Sequence, residues 1–228
     1  MIKSDEYALI VAGGTGRRMK SDLPKQFLEI SGSPILMHTI KAFYQYSNQI
    51  KIVLVLPEGD FDTWHELCQR HDFQITHQLQ SGGNTRFQSV KRGLEKLPEK
   101  GLVAIHDGVR PLVEEATIAT SFNLARKDQS AIAAVRLKES IRRVDNETSN
   151  ALDRSEFRLI QTPQTFDLAL IKQAYLIAED QTLTDDASVV ERAGYKISLF
   201  EGSYRNIKIT TPEDLVIASC LMDRRLKG

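Results

Sequence analysis

Glycine beside fixed positive charge is a phosphate-binding combination, and this chain carries it where its first apolar run ends. Residues 7–11 (Tyr-Ala-Leu-Ile-Val) lead into Ala12-Gly13-Gly14-Thr15-Gly16-Arg17-Arg18-Met19, and Pro24-Lys25-Gln26 follows shortly after. Glycines let backbone N–H groups approach anionic oxygen closely. Arg18 and Lys25 could then answer negative charge building at a phosphorus centre. The loop fits neither common fingerprint. Met19 stands where a dinucleotide site needs its third glycine, and no Gly-Lys-Ser/Thr closes the loop. Taken alone, Gly14-Thr15-Gly16 reads equally as a tight turn with solvated arginines.

Two further loops weaken that reading. Ser81-Gly82-Gly83-Asn84 opens a helical pattern, and the apolar run at 102–106 ends in Asp107-Gly108-Val109-Arg110-Pro111. In open α/β sheets, ligands sit beyond the carboxyl ends of the strands, where such loops gather. Asp107 followed closely by Arg110 suits a phosphate or metal site; an N-cap or a structural ion pair with Arg110 is the alternative.

Other candidate groups point nowhere in particular. His38, His65, His71 and His77 lack ligand spacing, and no Cys/His cluster has zinc-ligand spacing. His106 reads as structural, and Trp64 as packing. Cys68 and Cys220 lie far apart in apolar, helix-like runs, which suits two packed thiols in a reducing cytoplasm.

Short apolar runs alternating with amphipathic segments predict an α/β sheet with helical crossovers. Strands are expected at 7–11, 52–56, 74–77, 102–106, 131–135, 196–200 and 206–209. Helices are expected at 35–46 (Ser33 as N-cap, Pro34 at the first position), 61–70, 85–97, 114–127, 166–179 and 187–193. A final helix is expected from 212 to about 225, with Thr211 as its cap. Residues 137–161 are polar and charged, which suits a hairpin standing off the core. With no linker or repeat, residues 1–228 read as one domain with an arm at about 137–160.

Composition narrows the function class. The 228 residues are 41% hydrophobic and 26% charged, within the globular range, and 30 Lys+Arg offset 30 Asp+Glu. Such balance argues against a nucleic-acid or membrane-surface footprint, so any phosphate-binding charge must be local. No apolar stretch approaches a membrane span and no secretory pattern opens the chain, so a cytoplasmic protein is expected.

The motifs together resemble those of the sugar-phosphate nucleotidyltransferases, and more narrowly the 2-C-methyl-D-erythritol 4-phosphate cytidylyltransferase family of non-mevalonate isoprenoid biosynthesis. Besides the first loop and Pro24-Lys25-Gln26-Phe27-Leu28, the match includes Gly82-Gly83-x-x-Arg86-x-x-Ser89-Val90 and His106-Asp107-x-x-Arg110-Pro111. It continues through Gln161-Thr162-Pro163-Gln164, Thr184-Asp185-Asp186-Ala187-Ser188 and Asn206-Ile207-Lys208-Ile209-Thr210. The resemblance implies a three-layer, Rossmann-like α/β fold with a mostly parallel twisted sheet and a protruding β-arm. It also implies transfer of CMP from CTP to a polyol phosphate, with Mg²⁺, in a homodimer whose arms embrace.

By that resemblance Ala12, Gly13, Gly14, Thr15 and Gly16 wrap the triphosphate, and Arg18 and Lys25 stabilise the transition state. Gly82, Gly83 and Ser89 read cytosine, Arg86 supports their loop, and Asp107 lies near the nucleotide and the metal. Arg154, Thr162 and Lys208, joined by Arg110, hold and aim the acceptor phosphate. Arg154 otherwise reads as a solvated arm charge, whereas Lys208 between Ile207 and Ile209 alternates toward a cleft. One departure is Val135-Arg136-Leu137-Lys138-Glu139-Ser140-Ile141, where a Pro-Val-x-Asp-Thr-Ile-Lys-like segment is usual; Ser140 keeps a hydroxyl for the substrate. Ribitol 5-phosphate cytidylyltransferase, a sister family, and a non-catalytic nucleotide-binding module are the alternatives.

Overall fold

The computed structural model describes residues 5–14, 23–145, 148–180 and 182–226. Thr15, Gly16, Arg17, Arg18 and Met19 of the first loop lie outside the described residues.

Seven strands form one sheet in the order β11-β7-β10-β6-β1-β4-β5. They are β1 (Glu6–Val11), β4 (Lys51–Leu56), β5 (Gln78–Ser81), β6 (Leu102–Asp107), β7 (Ser130–Arg136), β10 (Arg158–Asp167) and β11 (Leu199–Glu201). β1 pairs in parallel with β4 and β6, as do β4 with β5 and β7 with β11. β10 runs antiparallel between β6 and β7. β1 and β6 are apolar almost throughout and fully buried, as strands covered on both faces must be.

One face carries α1 (Ile35–Tyr46), α2 (Phe61–Arg70) and α4 (Glu115–Asp128). There Phe43, Trp64 and Phe122 pack with Ala8, Ile10 and Leu54 of the sheet. The other face carries α3 (Arg86–Leu94), α5 (Leu168–Ala174) and α6 (Asp186–Arg192), whose Val90, Ile171 and Val190 meet Leu9, Val55 and Ile105. The result is the expected three-layer α/β fold. The last helix, α7 (Pro212–Leu226), closes a third cluster with Ile35 and Leu112. Thr211 accepts from the Asp214 N–H at its start, as expected.

Strand register places the chemistry. Val11 sits beside Val55 on one side and Asp107 on the other, so three strands end together. Backbone bonds then tie each following loop to its neighbour: Ala12 N–H to Val55 (2.9 Å), Gly82 N–H to Leu56 (2.8 Å), Gly108 N–H to Val11 (2.8 Å). A Cβ on Gly108 would come 2.7 Å from that of Ala12, so glycine is what allows this approach.

Several expected elements differ. The strand expected at 74–77 is β5 at Gln78–Ser81, an edge strand that is polar apart from Leu79. The α3 helix ends at Leu94 rather than 97. Residues 166 and 167 finish β10, so the helix expected at 166–179 shrinks to α5. β11 begins three residues later than expected. Residues 206–209 form no strand; the Ile209 N–H bonds Val109 (2.9 Å) without a ladder. Pro34, not Ser33, is the N-cap of α1, and no side chain caps it. Two short strands, β2 (Glu29–Ile30) and β3 (Ser33–Pro34), precede that helix. The expected hairpin is β8 (Ile141–Asp145) with β9 (Thr148–Leu152), but residues 158–161 belong to the main sheet. Cys68 is half-buried and Cys220 is exposed on α7, so the second thiol is not packed.

Candidate active site

Two adjoining cavities open beyond the carboxyl ends of β1, β4 and β6, sharing Arg86, Asp107 and Lys208 as their common wall. The first, of about 180 Å³, is lined by Ala12, Gly13 and Gly14, by Lys25, and by Gly83 and Ser89. The second, of about 270 Å³, is lined by Arg110, Gln161, Thr162, Gln164, Thr184 and Asp185. A larger cleft of about 1160 Å³ lies at the other end of the parallel strands, near Tyr7, Lys51 and Gln78. It is broad and open, and it lacks the buried converging charges of the smaller pair. Ligand position in such sheets favours the carboxyl ends.

Asp107 organises the wall. Its Oδ2 accepts from Arg110 Nε at 3.0 Å and meets Lys208 Nζ at 3.1 Å, while Arg86 Nε lies 4.0 Å from Oδ1. Burial alone would raise the pKa of this carboxyl, yet Lys208, Arg86 and Arg110 together hold it well below the usual carboxylate range. Asp107 is therefore a permanent anion among three cations, and the wall carries a surplus of positive charge. Arg110 is fixed further by donating Nη1 to the Asn206 carbonyl at 2.7 Å.

Behind the wall, Thr162 Oγ1 accepts the Asp107 N–H at 3.1 Å and lies 3.0 Å from His106 Nδ1. His106 Nε2 faces the Arg110 carbonyl at 3.2 Å, and a carbonyl only accepts, so that nitrogen holds the proton. Burial lowers the His106 pKa to about 4, leaving Nδ1 to accept the Thr162 hydroxyl proton. The hydroxyl expected to face the substrate thus spends its proton on the imidazole. Thr162 lines the acceptor-side cavity but sets the Asp107 turn instead.

The nucleotide-side loops are stiffened from within. Ser89 Oγ accepts the Gly83 N–H at 3.0 Å and donates to the Thr85 carbonyl at 2.8 Å, while Thr85 caps α3 through the Gln88 N–H. Arg92 Nη1 donates to the Gly82 carbonyl. Lys25 is buried in a one-turn 3-10 helix, and a Cβ on Gly14 would lie 3.5 Å from its Cε, so its stem runs along the first loop.

Most sequence-predicted residues are thereby brought together: Ala12, Gly13, Gly14, Lys25, Gly83, Arg86, Ser89, Asp107, Arg110, Thr162 and Lys208. Gly82 lies just behind, its amide and carbonyl both engaged. Arg18, Thr15 and Gly16 fall outside the described residues. Arg154 and Ser140 do not join them within this chain; both are exposed at the root of the β8–β9 arm, where Arg154 donates to the Lys138 carbonyl. Sequence reasoning assigned no role to Asp186, which receives both terminal nitrogens of Arg86. The segment was marked only as the motif Thr184-Asp185-Asp186-Ala187-Ser188; in the structure Asp185 and Ser188 form a capping box there.

For a divalent cation, Asp107 is the one carboxylate among the described residues that line the first cavity. Among the described residues no group of three or more His, Cys, Asp or Glu could cage an ion. Oδ2 is committed to Arg110 and Lys208, leaving Oδ1 as a single available ligand. Such a donor set suits Mg²⁺ carried in on phosphates, which keeps most of its ligands from substrate and water.

Comparison with known proteins identifies the family. A family model described as 2-C-methyl-D-erythritol 4-phosphate cytidylyltransferase matches residues 7–224. The enzyme of that name from Bacteroides thetaiotaomicron is 48% identical over 217 residues, 95% of this chain and 99% of that one. Its Bacteroides fragilis counterpart is 48% identical over 94% of this chain and 98% of its own. The crystal structure of 4-diphosphocytidyl-2C-methyl-D-erythritol synthase from Anaerococcus prevotii superposes with a TM-score of 0.83 at 30% identity, covering 97% of each chain. The chain belongs to the 2-C-methyl-D-erythritol 4-phosphate cytidylyltransferase family.

Proposed function

We propose that this chain transfers CMP from CTP to 2-C-methyl-D-erythritol 4-phosphate, giving the CDP-linked methylerythritol and pyrophosphate. The observation that carries this reading is the shared wall: Asp107 binds Arg110 and Lys208, with Arg86 beside them, between one glycine-lined cavity and one arginine-lined cavity. Family membership supports the substrate pair.

The triphosphate lies along Ala12–Gly14 with Lys25 at its middle, and the ring sits toward Gly83 and Ser89. Gly82 N–H and Gly83 N–H are already used by protein acceptors, which leaves the Gly83 carbonyl and neighbouring backbone to meet the base. The acceptor phosphate lies by Arg110 and Lys208. One of its oxygens attacks the α-phosphorus in line; the bond to the bridging oxygen of the β-phosphate breaks, and pyrophosphate carries that electron pair away. Lys25 and Lys208, fixed before reaction, stabilise charge on the equatorial oxygens without reorganising. Arg18 is assigned the same task by resemblance. Asp107 is the residue that would hold Mg²⁺, and the ion would supply positive charge to neutralise the triphosphate.

A homodimer would complete the site. The β8–β9 hairpin stands off the sheet with Val144 73% exposed, and Leu159 and Ile160 are exposed beside its root. Arg154 and Ser140 then serve a partner's acceptor cavity rather than their own. A cytoplasmic location fits the unpaired thiols; no described helix is long and apolar enough to cross a membrane.

Steady-state assays with CTP, Mg²⁺, and methylerythritol phosphate in competition with ribitol 5-phosphate test the reading. CTP-dependent pyrophosphate release with methylerythritol phosphate preferred is expected. No release with it rejects the proposal, and preference for ribitol 5-phosphate moves the chain to the sister activity.

A further inference from the structure

Asp186 is fully buried and lines neither cavity, yet it controls the side chain that lines both. Arg86 Nη1 and Nη2 donate to its two oxygens at 2.8 and 2.5 Å, and the Tyr175 hydroxyl donates to Oδ1 at 2.6 Å. Tyr175 is held in turn by stacking on Phe87, ring centroids 4.7 Å apart. A bidentate fork plus a phenol donor is what a buried carboxylate needs to offset its lost hydration.

The clamp decides where Arg86 points. With both terminal nitrogens committed, only the Nε edge is left toward Asp107, at 4.0 Å. Asp107 already carries Arg110 and Lys208. Were the Asp186 carboxylate lost, Asp107 would be the nearest remaining anion recorded for Arg86. Turning onto it would displace Lys208 from a partner it holds at 3.1 Å. Asp186 is also set by the acceptor side. Gln164 of β10 accepts the Ala187 N–H at 2.8 Å and donates to Asp185 at 2.9 Å, fixing the first turn of α6.

We propose that Asp186 is a positioning residue for the transfer: it holds Arg86 off Asp107, and so keeps Lys208 and the wall between the nucleotide and acceptor cavities in register. This rests on the two-cavity reading above. A clamp serving the fold alone would lower the melting temperature and leave the kinetics of the folded enzyme unchanged.

Asp186→Asn, Asp186→Glu and Tyr175→Phe are assayed with varied CTP and varied methylerythritol phosphate, alongside thermal melts. Misplacement of about 1 Å can cost about 10²-fold in rate, so Asp186→Asn is expected to lower kcat about 10²-fold and raise KM for both substrates. Asp186→Glu is expected to recover much of that loss, because it restores the charge. Tyr175→Phe, which keeps the ring stack and removes one donor, is expected to lower kcat about fivefold and the melting temperature by only a few degrees. A combined Arg86→Gln, Asp186→Asn variant is expected to be no worse than its poorer parent, since the two act through one contact. Folded Asp186→Asn with kcat and both KM values within about twofold of wild type overturns the proposal; if that variant does not fold, the same result for Tyr175→Phe overturns it. A wild-type enzyme inactive with CTP and methylerythritol phosphate would instead sink the functional reading.

Discussion

Lys208 Nζ lies 3.1 Å from Asp107 Oδ2, tying a cation on an irregular segment to a carboxylate at the end of β6. Lysine is a flexible point charge, and an anchored partner is what turns it into a preorganised one. The arrangement explains why a single carboxylate sits among three cations: it orients them.

Asp107→Asn keeps the shape and removes the anchor. Turnover should fall about 10²–10³-fold, as when a preorganised charge partner is lost. Stability should also drop by about 1–3 kcal/mol, because buried Arg110 loses its charged acceptor, whereas Lys208 is partly exposed and Arg86 keeps Asp186. Steady-state kinetics and urea unfolding measure the two effects on one sample.

Lys25→Ala should reduce kcat by about 10²-fold or more while the melting temperature stays within a few degrees. Lys25 lies along the first loop rather than in an apolar cluster. Near-normal turnover in a folded sample would remove it from the mechanism.

Gly83→Ala tests the nucleotide loop. Its Cβ would come 2.3 Å from Gln88 Cβ, so the loop must shift and KM for CTP should rise about tenfold or more. Gly59→Ala, whose Cβ meets nothing within 4 Å, is the matched control and should leave KM unchanged.

His77 supplies a pH signature away from the site. Its Nε2 accepts the Trp64 indole N–H at 2.9 Å and Nδ1 faces the Ile75 carbonyl at 2.7 Å, which fixes a neutral ring; burial lowers its pKa. A depressed histidine pKa means the unfolded chain binds more protons below its ordinary value of about 6.5, so stability is full above that pH and declines below it. Urea midpoints at pH 7.5 and 5.5 should show a smaller decline for His77→Gln than for wild type.

How far the sequence disclosed this site depends on the kind of signal each part left. The first loop, Lys25, Asp107 and Arg110 were legible because apolar runs led into glycines and charges. Lys208 was found by its alternation with Ile207 and Ile209, although only Ile209 is fully buried and no ladder forms. All of β10 is missed: its sequence reads as polar hairpin at 158–161 and as helix at 166–167, and 161–165 carry polar residues around a proline. Gln161, Thr162, Gln164 and Thr165 are buried for their hydrogen bonds, and Pro163 reads as a strand breaker. The Arg86–Asp186 clamp joins residues a hundred positions apart, and no local pattern announces such a pair. Thr162 lines the second cavity, but the direction of its proton depends on His106 behind it, which no sequence pattern shows.

The central claim is that Lys25 and Lys208, which line one cavity with Lys208 in the wall shared with the second, face the same phosphorus from opposite sides. A crystal structure with CTP and Mg²⁺ tests it most directly. The account predicts the α-phosphate within hydrogen-bond reach of Lys25, the ring near Gly83 and Ser89, and the Lys208 ammonium on the opposite side of that phosphorus. A triphosphate bound in the large cleft beside Lys51 and His77, or one that leaves Lys208 facing away, would contradict it.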